Sequence, residues 1–213
     1  MLKKTKLVIF DLDGTLVDAY KAITDSVNFT LRKIGRKEAS SAAIRKAVGW
    51  GDKNLLRVFV DAGPAQEAVR IYRKHHKSSL RRRCRLLPFS LSLLRYLSDS
   101  GIKIAIASNR PTLFTGIILK HLKIKKYFDY VLCADKLPQG KPHPEILLRI
   151  IKKLSISPGE VVYVGDMVVD IQAARNAGIK AVAVLGGSSS LAEIKKVRPF
   201  KIIRNLASLK KYL

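Results

Sequence analysis

Residues 6–15 read KLVIFDLDGT, a short apolar run that ends in two acidic residues and a glycine. The apolar run predicts a buried strand over Lys6–Phe10, and the Asp-Gly pair after it predicts a turn. In open α/β sheets, ligands bind where loops leave the carboxyl ends of the strands. The acidic residues Asp11 and Asp13 are therefore candidates for a functional role.

Four more runs of this kind follow, and helical patterns separate most of them. We expect strands over Lys103–Ala107, Tyr130–Ala134, Val161–Val164 and Lys180–Leu185. We expect core helices over Phe89–Ser98, Thr112–Leu122, Pro144–Leu154 and Val168–Ala177. Strands that alternate with helices predict an α/β fold with a parallel sheet.

A long segment between the first two predicted strands shows helical periodicity and no convincing strand. It runs from about Asp18 to Arg85, with breaks near Gly35, Gly49–Gly51 and Gly63–Pro64. We interpret residues 18–85 as an inserted helical cap domain, and residues 1–17 and 86–213 as the α/β core. A chain of 213 residues with 47% hydrophobic content suits one large domain with such an insertion.

The composition limits the class of protein. No apolar run approaches the roughly 20 residues that a membrane-spanning helix needs, so we expect neither a membrane span nor a signal peptide. The cysteines Cys84 and Cys133 lack metal-ligand spacing, so we expect two reduced thiols and a cytoplasmic location.

The net charge of +25 is the most unusual global feature. A basic surface attracts polyanions, but the basic residues are spread from Lys3 to Lys211, which favours a generally basic protein. We therefore expect no specific nucleic-acid partner, no membrane partner, and a monomer or homodimer. The predicted cap is locally basic, and we expect this stretch to attract or orient a small anionic substrate. Its members are Arg70, Arg73, Lys74, Lys77, Arg81, Arg82, Arg83 and Arg85.

Acidic residues are scarce, only 16 in all, yet two tight pairs follow apolar runs: Asp11 with Asp13, and Asp166 with Asp170. At neighbouring strand ends Asp11 and Asp166 would repel each other unless a hard cation lay between them. Carboxylates with few other protein ligands suit Mg²⁺. The pairs therefore predict a Mg²⁺ site.

The other strand ends carry groups that suit a phosphate ester. Lys141, in Gly140-Lys141-Pro142, would reduce the repulsion between an attacking carboxylate and a phosphate dianion. Ser108 and main-chain donors near Leu12, Gly14 and Asn109 would bind the phosphoryl oxygens. Each motif alone is more often an ordinary turn or helix start. The string Asp-x-Asp-Gly-Thr, however, has a chance frequency on the order of one in 10⁵ per position.

Together these motifs resemble the haloacid dehalogenase-like phosphatases: Asp11-Leu12-Asp13-Gly14-Thr15, Ser108, Lys141 in Gly-Lys-Pro-His-Pro, and Gly165-Asp166-x-x-x-Asp170. The resemblance covers essentially the whole chain and implies a Rossmann-like core with a helical cap. It implies Asp11 as the nucleophile that forms an aspartyl-phosphate, and Asp13 as general acid and then base. It also implies Mg²⁺ on Asp11, the Asp13 carbonyl and Asp166, phosphate on Ser108 and Lys141, and an orienting role for Asp170.

A loop of the predicted cap, Val48-Gly49-Trp50-Gly51-Asp52, resembles that of phosphoglycolate phosphatases, so Gly49, Trp50, Gly51 and Lys53 are candidates for substrate specificity. Trp50 could contact the substrate or anchor the loop in the cap. Two features depart from the family pattern: Leu87-Pro88-Phe89 replaces a Pro-Gly-Val, and Met167 replaces a small hydroxyl residue.

The histidines His75, His76 and His143 lack a partner at zinc spacing, so we expect solvent-facing or capping roles for them. Three functions remain open. The first is a phosphatase that acts on a small metabolite such as phosphoglycolate. The second is a phosphosugar mutase like β-phosphoglucomutase, and the third is a catalytically silent polyanion-binding protein.

Overall fold

A computed structural model of the protein describes residues 5–213. Residues 1–4, which the sequence analysis assigns to the α/β core, lie outside the described residues. The strands, in chain order, are β1 (Leu7–Phe10), β2 (Val17–Asp18), β3 (Arg85–Leu86), β4 (Lys103–Ser108), β5 (Tyr130–Cys133), β6 (Val161–Gly165), β7 (Lys180–Val184) and β8 (Lys201–Ile203).

A six-stranded sheet in the order β5-β4-β1-β6-β7-β8 forms the core, and its neighbouring strands are all parallel. The predicted parallel sheet is confirmed, and β1, β4, β5, β6 and β7 correspond to the five predicted strands. The sequence analysis missed β8, because three residues at a sheet edge are too few to show a strand pattern.

Nine α-helices are described within residues 5–213. They are α1 (Tyr20–Lys33), α2 (Ser41–Ala47), α3 (Asp52–Arg57), α4 (Ala65–Arg83), α5 (Ser90–Asp99), α6 (Thr112–His121), α7 (Glu145–Leu154), α8 (Val168–Asn176) and α9 (Leu191–Lys196). None of them is long and apolar enough to cross a lipid bilayer.

Helices α1–α4 lie between β2 and β3, within the segment predicted to be a cap. The two flanking strands pair antiparallel, with Val17 opposite Leu86, so the segment leaves and rejoins the rest of the chain at one place. Each strand has only two residues, which is why the sequence analysis did not predict them.

Both faces of the sheet are buried, which explains the unbroken apolar runs of the strands. In β1, Val8 and Phe10 pack into one hydrophobic cluster, while Leu7 and Ile9 pack into a second cluster on the opposite face. The other central strands β4, β6 and β7 divide in the same way. Since side chains alternate along a strand, helices on both faces require apolar residues at every position.

The register of the sheet determines which loops meet. Phe10 of β1 is opposite Ile106 of β4 on one side and Val164 of β6 on the other. The three strands therefore end at nearly the same level, and Asp11 follows β1 at the point where β4 reaches Ser108 and Asp166 follows β6. The carboxyl edge of the sheet thus brings together the polar residues predicted to be functional.

Candidate active site

Lys141 is the centre of a buried polar cluster at this edge. Its Nζ lies within hydrogen-bond distance of four acceptors, which are Asp11 Oδ1 and Asp170 Oδ1, each at 2.7 Å, the Tyr163 hydroxyl at 2.8 Å, and the Ala107 carbonyl at 3.0 Å. The side chain of Lys141 is 2% exposed. Burial alone would lower the pKa of Lys141, but Asp11 and Asp170 outweigh that effect and raise it above its usual value. The lysine therefore remains a cation beside Asp11, and its binding of phosphate stays a prediction.

Tyr163 completes this sheet-side network, which we define as Asp11, Lys141, Tyr163 and Asp170. Its hydroxyl donates to Asp170 Oδ1 at 2.9 Å. The other Asp170 oxygen accepts the Met167 N–H at 3.0 Å, at the start of α8. Asp170 is thus held on both oxygens and is placed to orient Lys141. The sequence analysis missed Tyr163, because a tyrosine inside a buried strand carries no signal that distinguishes it from a core residue.

Asp166 lies beside Asp11, held by the loops around it. Its Oδ1 accepts the Thr15 hydroxyl at 2.9 Å, and its Oδ2 accepts the Ser188 N–H at 2.9 Å. Gly14 has a φ of 82°, and a Cβ added there would lie 2.5 Å from Asp166 Oδ2. A residue with a side chain would therefore be strained in its backbone and would collide with Asp166.

The carboxylates suit a divalent cation. One oxygen from each of Asp11, Asp166 and Asp170 lies within 4.8 Å of the other two. Burial raises the pKa of Asp11 to about 7 against the opposing effect of Lys141, with Asp170 and Asp13 adding to the rise. Burial, Asp170 and Asp11 likewise raise the pKa of Asp166 well above its usual value. Buried carboxylates that destabilise one another's charge are a fitting donor set for Mg²⁺.

Asp13 is bound by an arginine that the sequence analysis did not identify. Arg110 donates from Nε to Asp13 Oδ2 at 2.6 Å and from Nη2 to Asp13 Oδ1 at 2.9 Å, a bidentate ion pair. Arg110 is only 8% exposed. Burial alone would lower its pKa, but Asp13 more than compensates and raises it. Its position directly after Ser108-Asn109 was the available signal, since the loop that follows β4 lies at the functional edge.

The expected solvent-facing or capping role is wrong for His76, which is fully buried. Its Nε2 lies 2.8 Å from Arg110 Nη1, and its Nδ1 lies 3.0 Å from Ser26 Oγ. A guanidinium can only donate, so Nε2 accepts and Nδ1 carries the proton. We call Asp13, Arg110, His76 and Ser26 the helix-side network, because it ends in α4 and α1. Burial and then Arg110 lower the pKa of His76 well below its usual value, so the ring is neutral.

His143 and His75, for which the same expectation was stated, fit it better. His143 is exposed, and its Nδ1 accepts the Glu145 N–H at 3.3 Å at the start of α7. His75 is half-buried, with its ring stacked on Phe29 at a centroid distance of 4.2 Å. His76 differs because it lies on the face of α4 that packs against α1, where the helix buries Tyr72, Ser79 and Leu80.

Only some of the predicted phosphate-binding groups lie together. Ser108 lines the same cavity as Asp11 and Lys141, and its hydroxyl accepts the Arg110 N–H at 3.2 Å. The Gly14 N–H instead donates to the Val17 carbonyl at 2.8 Å, inside the turn before β2. Gly14 is therefore needed for the turn and for the approach to Asp166, and its N–H is engaged within the turn. Leu12, whose side chain is fully buried, remains a main-chain prediction.

Asn109 ties the helical segment to the core. Its side-chain amide donates to the Gly49 carbonyl at 2.8 Å and to the Lys141 carbonyl at 3.0 Å, and its oxygen accepts the Lys141 N–H at 2.8 Å. Gly49 has a φ of 112°, and a Cβ there would lie 2.5 Å from Met167 Sδ. Met167, which departs from the family pattern, thus packs against position 49, where only a glycine leaves room for it.

One cavity joins the two networks. Asp11, Asp13 and Lys141 line it from the core, and Gly49, Gly51 and Asp52 line it from the helical segment. Of the candidate specificity residues, Gly49 and Gly51 are in its wall, whereas Trp50 and Lys53 are not. Trp50 is 47% exposed and lies beside Ala47 and Phe59 in a separate surface depression.

The basic stretch of the helical segment lies outside the cavity wall. Arg81, Arg82 and Arg83 are exposed at the end of α4. Arg73 reaches Asp52, which does line the cavity, through a bidentate pair at 2.6 and 3.1 Å. Arg110 is the only arginine among the described residues that line the cavity.

Comparison with known proteins identifies the family of this chain. A model of the haloacid dehalogenase-like hydrolase family matches residues 8–184. The chain is 33% identical to a phosphoglycolate phosphatase of Pseudomonas fluorescens strain Pf-5, over 96% of this chain and 78% of that protein. It is 32% identical to a phosphoglycolate phosphatase of Pseudomonas putida strain KT2440, with the same coverage.

A solved structure described as a predicted phosphoglycolate phosphatase from Haemophilus somnus 129pt superimposes with a TM-score of 0.89 at 27% identity. The match covers 99% of each chain. The family resemblance inferred from the motifs is confirmed. The chain therefore belongs to the haloacid dehalogenase-like hydrolases, and it is a phosphatase of that family.

Proposed function

We propose that the protein hydrolyses a small phosphate monoester with Mg²⁺, through an aspartyl-phosphate on Asp11. One observation carries the proposal. The Asp11 carboxylate lies in the same cavity as Asp13, Ser108 and Lys141, is bonded to Lys141 at 2.7 Å, and adjoins Asp166. A nucleophile, an acid–base group and a phosphate-binding cation thus meet in one place.

In the proposed first step, an oxygen of Asp11 attacks phosphorus, and the bond from phosphorus to the ester oxygen breaks. Asp13 gives its proton to the departing alkoxide. In the second step a water molecule attacks the aspartyl-phosphate, and Asp13 accepts the proton of that water. Inorganic phosphate leaves and the Asp11 carboxylate is restored. Lys141 and Ser108 bind the phosphoryl oxygens throughout.

Asp11, Asp166 and the main-chain carbonyl of Asp13 would hold the Mg²⁺ ion. When bound, Mg²⁺ neutralises the charge that builds up on the phosphoryl oxygens. Asp170 is held by Tyr163 and the Met167 N–H, so its part is to position Lys141.

Phosphoglycolate is the substrate that we propose first, since relatives more than 30% identical to this chain carry the name phosphoglycolate phosphatase. Residues 18–85 would act as the cap, because Gly49, Gly51 and Asp52 close the cavity from the helical side. We also propose a cytoplasmic location, supported by the free thiols of Cys84 and Cys133.

The test is release of inorganic phosphate from a panel of phosphorylated compounds in the presence of Mg²⁺. The panel includes 2-phosphoglycolate, sugar phosphates, pyrophosphate and nucleotides. We expect turnover of 2-phosphoglycolate with free phosphate as a product. Transfer of the phosphoryl group between sugar hydroxyls without phosphate release would instead identify a mutase, and inactivity on the whole panel would overturn the proposal.

A further inference from the structure

We propose that Arg110 recognises a carboxylate group on the substrate, and that it releases Asp13 for acid–base catalysis when that carboxylate takes the place of Asp13. The inference rests on the proposed function and specifies the class of ester that the site accepts. That class is a short phosphate monoester with a carboxylate on its leaving group.

The argument begins with what Asp13 is doing. Both of its oxygens accept N–H groups of Arg110, at 2.6 and 2.9 Å. In this arrangement both carboxylate oxygens of Asp13 are bound by the guanidinium and face away from any other partner in the cavity wall. Asp13 must therefore leave the guanidinium before it can act as the general acid of the first step.

Arg110 itself is anchored independently of Asp13. Its Nη1 donates to His76 Nε2 at 2.8 Å, and His76 Nδ1 in turn donates to Ser26 Oγ at 3.0 Å. The Ser26 hydroxyl donates to the Ala22 carbonyl at 2.7 Å. The ring of His76 is packed between Tyr72 and Phe114, at centroid distances of 4.8 and 4.9 Å. The Nη1 side of the guanidinium is thus held in place by His76. The Nε and Nη2 side, which binds Asp13, can exchange that carboxylate for another.

The charges around the cavity favour an anionic leaving group at this position. Among the described residues in the cavity wall, the cations are Lys141 and Arg110. Lys141 is engaged by Asp11 and Asp170, beside the expected phosphoryl group. Asp52, an acid in the wall, is already neutralised by Arg73.

The shape of the interaction selects a carboxylate over other anions of similar size. A guanidinium presents two parallel N–H groups that match the two oxygens of a carboxylate, as the Asp13 pair demonstrates here. Apolar side chains such as Ile23, Leu55 and Phe114 line the same cavity as Arg110, so a long polar leaving group would lose part of its hydration there. A two- or three-carbon acid satisfies both requirements.

Two esters that differ only in this group provide the test: 2-phosphoglycolate and 2-hydroxyethyl phosphate. We expect the parent enzyme to show a kcat/KM about 100-fold higher for the carboxylate ester, as for the loss of a charge-assisted bidentate contact. Arg110→Gln should remove most of this preference. Arg110→Lys, which keeps the charge without the fork, should retain only part of it. The matched control is Arg149→Gln, an exposed arginine paired with Glu145 outside the cavity, which should leave the ratio unchanged.

A second measurement does not depend on turnover. In the Asp11→Asn variant with Mg²⁺, binding of 2-phosphoglycolate is measured by calorimetry, with and without Arg110→Gln. We expect the second substitution to weaken binding of 2-phosphoglycolate about 100-fold and binding of 2-hydroxyethyl phosphate less than about threefold. Thermal unfolding of each variant shows whether it folds, and if Arg110→Gln does not, Arg110→Lys and the parent ratio still decide the question.

The outcomes separate this inference from the proposed function. Equal kcat/KM for the two esters in the parent, or an unchanged ratio in Arg110→Lys and Arg110→Gln, would overturn carboxylate recognition and leave the phosphatase activity intact. Phosphate release from none of the esters would overturn the proposed function. In that case equal binding of the two esters by the Asp11→Asn protein would overturn the role of Arg110 as well.

Discussion

The sheet-side and helix-side networks hold Asp11 and Asp13, the two aspartates proposed to be catalytic, in different ways. On the sheet side, Asp11 is bonded to Lys141, which also reaches Asp170 and Tyr163, all at the end of one parallel sheet. On the helix side, Asp13 is bonded to Arg110, whose other partner is a histidine of α4. The first network depends on the core alone, whereas the second also depends on how α1 and α4 pack. A substitution should therefore act mainly on chemistry in the first and on coupling to the helical segment in the second.

The largest expected effect breaks the sheet-side network at its nucleophile. Asp11→Asn keeps the shape and an oxygen for Lys141 but cannot supply the attacking carboxylate. We expect phosphate release to fall by at least about 1000-fold while the melting temperature changes little. Asp25→Asn, at an exposed pair with Arg83, is the control and should retain parent activity. Phosphate release from Asp11→Asn within tenfold of the parent would exclude a covalent role for Asp11.

Metal dependence is a second test of the site around the sheet-side network. EDTA should abolish activity and Mg²⁺ should restore it, because Asp11 and Asp166 lie close together, and burial together with neighbouring carboxylates raises the pKa of each. A proton on Asp11 competes with the ion below its pKa of about 7, so the Mg²⁺ affinity should weaken up to about tenfold for each pH unit below that value. The measurement is activity against Mg²⁺ concentration from pH 8 to pH 6, and a constant affinity over that range would contradict the prediction.

A smaller effect is expected when the helix-side network is cut at His76. His76→Phe retains the ring packing but removes the acceptor of the Arg110 N–H, so Arg110 should lose its fixed position. We expect kcat/KM to fall about tenfold and the free energy of unfolding to fall by about 1–3 kcal/mol. His121→Phe is the control, since His121 is an exposed histidine at the end of α6 and lies outside the network. Equal effects at the two positions would show that the chain through His76 is not specific.

The pH dependence of stability offers a finer probe of His76. Its pKa is lowered in the folded state, so below about pH 6.5 the unfolded chain binds a proton that the folded protein does not. The contribution of the neutral His76 to the free energy of unfolding is complete above that pH and is lost as the pH falls. The parent should therefore lose about 1 kcal/mol more than His76→Phe between pH 6.5 and 5.5. Parallel stability curves for the two proteins, measured by urea unfolding, would contradict a neutral buried histidine.

The smallest effect concerns charges outside both networks. We expect neutralisation of Arg81, Arg82 and Arg83 to lower kcat/KM only about two- to threefold at low salt and not at physiological salt, because exposed charges act by long-range attraction that salt screens. Duplex DNA and RNA should bind weakly and lose affinity steeply with salt. Tight nucleic-acid binding at physiological salt, with unchanged kinetics in the triple variant, would favour the polyanion-binding function.

The two networks also differ in how far the sequence could predict them. Asp11 and Asp166 directly follow strands, Ser108 ends β4, and Asp170 lies in the first turn of α8. Lys141 lies in the loop before α7, within the recognisable string Gly-Lys-Pro-His-Pro. Tyr163 and His76 lie inside a strand and a helix, where a polar residue looks like any other until its neighbours are known. Trp50 stood out in the sequence as a large aromatic in a glycine-flanked loop, yet its side chain lies outside the cavity wall.

The sequence by itself determined the parallel α/β core, the family and the residues at the strand ends, because strand periodicity and the order of motifs are local properties of the chain. Only the tertiary structure decided that Arg110 binds Asp13 and that the buried His76 accepts a hydrogen bond from Arg110. Those contacts join residues separated by 97 and 34 positions, and they exist because α4 is packed against α1 and close to the loop after β4. A hydrogen bond of that kind depends on packing in three dimensions, which no local pattern in the chain records.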